Sequence, residues 1–255
     1  MKVVILAGGM GTRLSEETST RPKPMVEIGG KPLIWHVMKI YSHYGYNDFV
    51  ICLGYMGHVI KEYFANYALH MSDVTIDMGR NETISHKLKA EPWRVTLVDT
   101  GLTSGTAERV LAVESYLDDT FLLTYGDGIA DIDIRKLVAF HICHGRPATI
   151  SVYQPDLKFG NVEVNDKGEV VSFREKPPSG GWINCGFMVL QKAALEPLRG
   201  SQHIESKPLE TMAREGHLMA YQHNGFWQCM DTLREKTILQ DHWNTGKAPW
   251  KVWNE

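Results

Sequence analysis

The chain has few cysteines, no excess of basic residues and no long apolar run. Its 255 residues include four cysteines, which are far apart and form no CxxC pair, so their spacing does not favour a zinc site. The formal net charge of −3 excludes a general nucleic-acid-binding surface. No apolar run approaches the ~18 residues that a membrane-spanning helix needs, and no signal peptide is recognisable. We therefore expect reduced thiols and a cytoplasmic protein that binds neither nucleic acid nor a membrane.

The chain also lacks the features that separate domains or mark repeats. We find no linker rich in proline, glycine or serine, no internal repeat and no low-complexity tract. His141 and His144 lie one helical turn apart, but no second pair of ligands is near in sequence, which does not favour a metal site there. We expect one domain over residues 1–255, long enough to bury a substantial core.

What is present is an alternation of apolar runs and helical patterns. Continuous apolar runs rich in β-branched residues are typical of strands buried on both faces, and they occur at 2–6, 49–54, 95–101, 121–128 and 148–154. Between them, apolar residues spaced by three and four predict amphipathic helices at 31–45, 57–71, 106–117 and 133–145. This order predicts an α/β fold in which helices flank a mixed, mainly parallel sheet.

The second half of the chain has a different pattern. Apolar and polar residues alternate over 161–177 on both sides of "NDKG", which predicts a β-hairpin. Further along, the sequence predicts a buried strand at 183–190, a helix at 207–216 that ends at a glycine, a strand and loop at 217–225, and a last helix at 231–246.

A glycine-rich stretch, "AGGMGTRL" at 7–14, follows the first strand directly. Glycines let backbone N–H groups approach a ligand closely, and the carboxyl end of a strand is where open α/β sheets bind ligands. A dinucleotide fingerprint would need glycine where Leu14 stands, and the G-K-[ST] of a P-loop is absent. Thr12 offers a hydroxyl and Arg13 a forked donor that suits phosphate. The stretch could also be a plain strand–helix connection.

Three more charged residues stand at notable places. Lys23 lies between two prolines in "RPKPM", which stiffen the backbone and exclude a helix through it. A rigid lysine there could face the glycine-rich loop, and the alternative is a solvated lysine in a turn. Asp127 in "YGDG" follows a buried strand, and Asp231 precedes the last helix. Carboxylates in such positions are suitable ligands for a Mg²⁺ ion that also contacts the phosphates of a substrate. Asp127 could instead be a turn residue, and Asp231 could simply cap the helix.

Taken together, "LAGGMGTRL", "RPKPM" and "YGDG" resemble the sugar-1-phosphate nucleotidyltransferases. Longer stretches, among them "GYMGHVIKEYFANY" and "FWQCMDTLREK", resemble the cytidylyltransferases of that family almost end to end. The resemblance implies a nucleotidyltransferase fold and a reaction in which CTP and α-D-glucose 1-phosphate give CDP-glucose and pyrophosphate. It implies a nucleotide-binding half over about 1–130 and a sugar-binding half over about 131–255.

The resemblance also implies roles for individual residues. Catalysis would depend on Arg13 and Lys23, and Mg²⁺ would be held by Asp127 and Asp231. The nucleotide would be bound by Leu6, Ala7, Gly8, Gly9, Gly11, Thr12, Arg13, Lys23, Ser104 and Arg109. The sugar phosphate would be bound by Tyr125, Gly160, Glu175, Lys176 and Asn184. Members of the family form homo-oligomers, so we expect a hexamer with subunit contacts in 78–94, and a product that enters polysaccharide biosynthesis.

Two alternatives stay open at this stage. At 106–112 the chain reads "TAERVLA", where relatives carry two glycines and a Lys-Arg pair, so Glu108 would add negative charge beside the nucleotide. This difference favours a transferase that uses another phosphorylated acceptor, or UTP or dTTP. The second alternative is a non-catalytic module that binds sugar nucleotides, because function resides in the site and not in the fold.

Overall fold

A mixed sheet of seven strands forms the centre of the computed structural model, which describes residues 1–155, 161–174 and 181–254. The strands are β1 Val3–Leu6, β2 Glu27–Ile28, β3 Lys31–Pro32, β4 Asp48–Leu53, β5 Ser72–Asp77, β6 Glu82–Leu88, β7 Arg94–Asp99, β8 Thr120–Tyr125, β9 Gly128–Ala130, β10 Ala148–Tyr153, β11 Asn161–Val164, β12 Val170–Arg174, β13 Ile183–Gln191, β14 Leu218–His223 and β15 Trp227–Cys229. The helices are α1 Ser15–Thr18, α2 Leu33–His43, α3 Gly57–Ala65, α4 Tyr67–His70, α5 Thr106–Ala112, α6 Ile134–His144, α7 Lys207–Arg214 and α8 Leu233–Asn244.

The central sheet has the order β14-β10-β13-β8-β1-β4-β7. β13 runs antiparallel to both of its neighbours, whereas the other six strands share one direction. The predicted mixed, mainly parallel sheet is therefore confirmed. Strands from residues 1–130 and from 131–255 lie in this one sheet, and the carboxyl ends of β1, β4 and β8 meet at the same edge.

Both faces of the sheet are covered. Val3 and Ile5 of β1 belong to the apolar cluster under α2, α6 and α8, whereas Val4 and Leu6 belong to the cluster under α5 and α7. All four side chains are buried, because helices pack on both sides of the strand. This two-sided burial is the physical reason why the strands read as continuous apolar runs instead of alternating ones.

Several helix boundaries differ from the predicted ones. The helix predicted at 57–71 is interrupted at Asn66, whose side-chain amide donates to the carbonyl of Glu62 at 2.9 Å. Such local side-chain bonds compete with the helical ladder. The helix predicted at 106–117 ends at Ala112, and a 3-10 turn over Glu114–Tyr116 follows.

The hairpins show one confirmed prediction and one omission. β11 and β12 pair antiparallel, which confirms the hairpin predicted around "NDKG". β5 and β6 form a second hairpin that the sequence patterns did not predict. None of the helices in the described ranges is long and apolar enough to cross a lipid bilayer.

Candidate active site

The glycine-rich stretch turns tightly at the end of β1. The amide of Ala7 still donates to the carbonyl of Cys52 on β4 at 3.0 Å, and the carbonyl of Gly8 accepts from Tyr55 at 3.1 Å. Gly11 has φ +63°, and a Cβ there would lie 2.8 Å from Cγ2 of Thr18. Only glycine adopts this left-handed conformation at little cost, and only glycine leaves room for the following helix α1 to lie this close.

Arg109 lies beneath this loop and binds backbone carbonyls. Its guanidinium donates to the carbonyls of Gly8 at 3.0 Å, Leu53 at 2.9 Å and Gly101 at 2.8 Å, and to the hydroxyl of Thr100 at 2.7 Å. The residue is 4% exposed. Arg109 therefore joins the loops that follow β1, β4 and β7, and its donors are engaged by the protein itself.

Lys23 is buried beside the same loop. It begins a 3-10 turn, Lys23–Met25, and Pro22 before it has the extended conformation that a residue preceding the turn requires. A Cβ on Gly126 would lie only 3.2 Å from Cγ of Pro24, so this turn packs directly on the backbone that follows β8. The packing brings the ammonium group of Lys23 to Asp127.

Two aspartates converge on the ammonium group of Lys23. Oδ2 of Asp127 accepts from Nζ at 2.7 Å, and Oδ1 of Asp231 accepts from the same nitrogen. Arg13 forms a second ion pair with Oδ2 of Asp231 at 2.9 Å. We call these four residues the charged cluster; it holds two cations and two carboxylates from four distant parts of the chain.

Burial and pairing oppose each other within the charged cluster. Burial by itself lowers the pKa of Lys23, but the negative charges and hydrogen bonds of Asp127 and Asp231 raise it above its usual value. Burial likewise raises the pKa of Asp231, but its bond to Lys23 and the charge of Arg13 lower it below its usual value. Both groups therefore stay ionised at neutral pH.

A short antiparallel ladder places Asp231. β15 pairs with β9 so that Cys229 lies opposite Gly128, and the amide of Met230 donates to the carbonyl of Asp127 at 2.9 Å. The predicted start of the last helix at 231 is wrong. Thr232 caps α8 and Asp231 lies outside it.

Glu235 of α8 holds the backbone of this segment. Its carboxylate accepts from the amide of Asp231 at 2.7 Å and from that of Thr232 at 2.9 Å. The side chain of Asp231 is thus free to pair with Lys23 and Arg13. The alternatives of a capping Asp231 and a solvated Lys23 do not hold, because Thr232 provides the cap and Lys23 is 8% exposed.

A cavity of about 330 Å³ opens at this edge of the sheet. It brings together every residue that the sequence predicts for the nucleotide and the metal, and Tyr125 in addition: Leu6, Ala7, Gly8, Gly9, Gly11, Thr12, Arg13, Lys23, Ser104, Arg109, Tyr125, Asp127 and Asp231. Asn184 does not line the cavity, but it forms a hydrogen bond with Tyr125 from β13. Gly160, Glu175 and Lys176 lie outside the described residues.

Some lining residues were not predicted. They are Pro24, Gly105, Thr106, Gly126 and His203. Pro24 and Gly126 are neighbours of predicted residues within "RPKPM" and "YGDG", so those motifs could have indicated them. His203 has no such signal, since it comes from a segment that carries no motif.

The segment 106–112, for which the resemblance implies a departure from the family, forms helix α5. The carboxylate of Glu108 accepts from the amide of Gly105 at 2.8 Å, which is the glutamate half of a capping box at the start of α5, since glycine has no side chain to return the second bond. The negative charge of Glu108 is thereby used at the helix terminus. Glu108 itself does not line the cavity, although Gly105, to which it is bonded, does.

The donor set of the charged cluster fits a hard divalent cation. Among the described residues, no group of three or more Asp, Glu, His or Cys side chains converges to hold a metal ion. Asp127 and Asp231 nevertheless both contact one nitrogen of Lys23, so their oxygens face a common point. Mg²⁺ in phosphate-transfer sites uses one or two carboxylates and takes its other ligands from phosphates and water.

Comparisons with known proteins show the family to which the chain belongs. A family model described as nucleotidyl transferase matches residues 2–234. The chain is 54% identical to a glucose-1-phosphate cytidylyltransferase of Salmonella typhimurium, over 99% of this chain and 100% of that protein. It is 43% identical to a probable glucose-1-phosphate cytidylyltransferase of Bacillus subtilis, again over 99% and 100%. The crystal structure of HddC from Yersinia pseudotuberculosis superposes with a TM-score of 0.70 at 21% identity and covers 95% of this chain and 99% of its own. The chain belongs to the nucleotidyl transferase family.

Proposed function

We propose that the protein transfers a cytidylyl group from CTP to α-D-glucose 1-phosphate and so produces CDP-glucose and pyrophosphate. One glucose-1-phosphate cytidylyltransferase and one probable enzyme of that name match 99% of the chain at 54% and 43% identity, and this supports the choice of both substrates. The observation that carries the proposal is the charged cluster beside the glycine-rich loop, because it combines phosphate-binding cations with paired carboxylates in one cavity.

The reaction joins two polyanions. A phosphate oxygen of the sugar phosphate forms a bond to the α-phosphorus of the nucleotide, while the bond from that phosphorus to the bridging oxygen breaks and pyrophosphate leaves. The attacking phosphate is already ionised at neutral pH, so no general base is required. The tasks left to the protein are alignment and stabilisation of negative charge.

Arg13 and Lys23 perform the electrostatic part of this task. Lys23 is held by two carboxylates at a fixed position, and a donor that is fixed in advance needs no reorganisation during the reaction. Arg13 is more exposed and presents a planar fork that binds phosphate oxygens in pairs. The backbone amides from Gly8 to Thr12 complete the nucleotide side together with Leu6, Ala7 and Ser104.

Nucleotidyltransferases generally use a divalent metal ion, and here Asp127 and Asp231 would hold Mg²⁺. When bound, the ion supplies Lewis-acid stabilisation of charge on the phosphates. Arg109 supports the nucleotide indirectly, because its bonds to the carbonyls of Gly8 and Leu53 fix the loop that faces the phosphates.

The sugar phosphate would lie on the side of β8 and β13. Tyr125 ends β8, and Asn184 lies on the neighbouring strand β13. Gly160, Glu175 and Lys176 complete this set by resemblance to the family. In this division residues 1–130 bind the nucleotide and 131–255 the sugar within one domain. We further infer a cytoplasmic homo-oligomer, a hexamer by resemblance, with contacts through 78–94.

A substrate panel tests the proposal. Pyrophosphate release is measured with CTP, UTP and dTTP against the 1-phosphates of glucose, galactose and mannose, and the product is identified by mass spectrometry. We expect the highest kcat/KM for CTP with glucose 1-phosphate, a requirement for Mg²⁺, and CDP-glucose as product. The variant Lys23→Met is the control that assigns turnover to this cavity. Preference for another pair would establish the alternative transferase, and no turnover with any pair would favour a binding module.

A further inference from the structure

The segment 202–206 forms a wall of the cavity that no sequence motif indicated. The carbonyl of Gln202 accepts from the amide of Ala107 at 3.0 Å, and the amide of Ile204 donates to Oγ1 of Thr106 at 2.9 Å. Ile204 is buried in the apolar cluster beneath α5. Between these two anchored residues, His203 lines the cavity. The segment is therefore fixed to the start of α5 by backbone and by packing.

Glu205 connects this wall to a second side of the cavity. One oxygen of its carboxylate accepts from Oγ1 of Thr106 at 2.7 Å, and the other accepts from the phenol of Tyr125. Thr106 begins α5 and Tyr125 ends β8, and both line the cavity. A single carboxylate thus joins its own segment to two others, which lie 99 and 80 residues before it in the chain.

The ring of Tyr125 lies on the side of β8 that faces β13. β8 lies between β1, which carries the glycine-rich loop, and β13. The ring of Tyr125 packs on Gly186 of β13, where φ is +86° and a Cβ would lie 2.5 Å from Cδ2 of the ring. Burial and the charge of Glu205 raise the pKa of Tyr125, whereas a hydrogen bond with Asn184 lowers it. The phenol is therefore neutral, and its ring packs against β13, which lies on the opposite side of β8 from the strand that carries the glycine-rich loop.

We propose that Glu205 is a positioning residue that determines selectivity for the sugar of the acceptor phosphate. This inference depends on the proposed function, in which the sugar lies beside Tyr125. Because the phenol proton is committed to Glu205 and Asn184 bonds the same oxygen, one remaining lone pair of Tyr125 is left to accept a hydrogen bond from a substrate hydroxyl. Glu205 thereby sets both the direction of that acceptor and the separation of the walls that carry Thr106 and Tyr125.

The test compares Glu205→Ala with Glu205→Gln, which keeps one acceptor oxygen, and with Tyr125→Phe. KM and kcat are measured separately for glucose 1-phosphate and for CTP, and the ratio of kcat/KM for glucose over galactose 1-phosphate is determined for each variant. Glu210→Ala is the matched control, since Glu210 is an exposed carboxylate five residues further on. Thermal unfolding of each variant shows whether it is folded.

We expect Glu205→Ala to raise KM for glucose 1-phosphate about tenfold, which is the size of one lost charge-assisted hydrogen bond. KM for CTP should stay within about twofold, since the nucleotide loop makes no contact with Glu205 in the proposed arrangement. The ratio of kcat/KM for glucose over galactose 1-phosphate should fall in Glu205→Ala. Glu205→Gln should recover most of the loss in both KM and selectivity. The double variant of Tyr125→Phe and Glu205→Ala should have a KM for glucose 1-phosphate no higher than that of either single variant.

Two results would overturn the inference. One is an equal rise of KM for CTP and for the sugar phosphate, which would make Glu205 a general structural residue. The other is full additivity of the Tyr125→Phe and Glu205→Ala effects. If the wild type does not use CTP with glucose 1-phosphate, the proposed function fails by itself, and the same comparison is made with the acceptor that the substrate panel identifies.

Discussion

Replacing Lys23 by methionine removes the ammonium group that Asp127 and Asp231 both contact, while a chain of similar length stays in place. The rate should fall by about 10²–10³, the range found when one fixed charge-stabilising donor is removed from an active site. The effect should appear in kcat at saturating CTP and sugar phosphate, because the contact between Lys23 and the phosphates strengthens as negative charge builds up on them in the transition state.

The same substitution leaves two carboxylates without their shared cation, so it should also reduce stability. The side chains of Lys23 and Asp231 are 10% and 18% exposed, but that of Asp127 is 36% exposed and Arg13 still pairs with Asp231. The loss should therefore lie between that of a surface pair and that of a fully buried pair, at about 1–3 kcal/mol. For a chain of this length this corresponds to a fall in Tm of roughly 2–10 °C.

The pH dependence of this loss has a defined sign. The pKa of Asp231 lies below its usual 3.8, so its stabilising contribution is present above pH 3.8 and is lost as pH falls through the folded-state pKa. The pKa of Lys23 lies above 10.5, so its contribution is present below pH 10.5 and is lost as pH rises through the folded-state value. The difference in unfolding free energy between wild type and Lys23→Met should thus be constant near neutral pH and shrink in acid.

The assays are pyrophosphate release for kcat and urea unfolding between acid and neutral pH for stability. Lys39→Met is the matched control, since Lys39 is also partly buried and pairs with Glu91 at 2.8 Å on an element that does not line the cavity. The reasoning is wrong if Lys23→Met keeps kcat within about tenfold of wild type or loses no more activity than Lys39→Met.

Further substitutions separate the roles of neighbouring residues. Gly8→Ala should lower Tm and activity, because its Cβ would lie 2.2 Å from the guanidinium of Arg109, whereas Gly9→Ala has open space and should keep the Tm of the wild type; equal Tm values for the two variants would contradict this. Asp231→Asn should reduce kcat and raise the Mg²⁺ concentration needed for half-maximal rate, as measured by metal titration. Thr232→Ala should lower the free energy of unfolding by about 1 kcal/mol, because it removes a helix cap, and should keep most of the activity. The reverse pattern for Asp231 and Thr232 would show that the cap was misassigned.

The parts of the fold that the sequence predicts well are those covered on both sides. The runs at 2–6, 49–54 and 121–128 match β1, β4 and β8 to within a few residues at each end, because burial on two faces favours apolar residues along the whole strand. β5 and β6 are not predicted from continuous apolar runs, because they form a hairpin outside the central sheet on which Ile76 and Ile84 are exposed. Their pattern is set by pairing with each other and not by a core.

The site is predictable in composition but not in its internal bonding. Family resemblance indicated that Arg13, Lys23, Asp127 and Asp231 belong together, and the structure places them in one cluster. Nothing in the sequence shows that the donors of Arg109 are engaged by backbone carbonyls, because those partners have no side-chain signature. The role of Glu205 cannot be predicted from the sequence for a related reason, because its partners lie far away in the chain and its own segment carries no motif.

The position of Asp231 depends on strand register more than on its immediate neighbours in sequence. The ladder between β9 and β15 has only three residue pairs, and it sets Asp231 beside Asp127 across the sheet edge. A slip of one residue would move Asp231 by roughly 3.3 Å and turn its side chain to the opposite face, beyond the reach of Lys23. Such a short ladder specifies its register weakly, so other contacts have to hold it. Glu235 does this by binding the amides of Asp231 and Thr232, which fixes the end of the ladder to the first turn of α8. The position of Asp231 in this chain therefore depends on the docking of α8, a helix that contributes no side chain to the cavity.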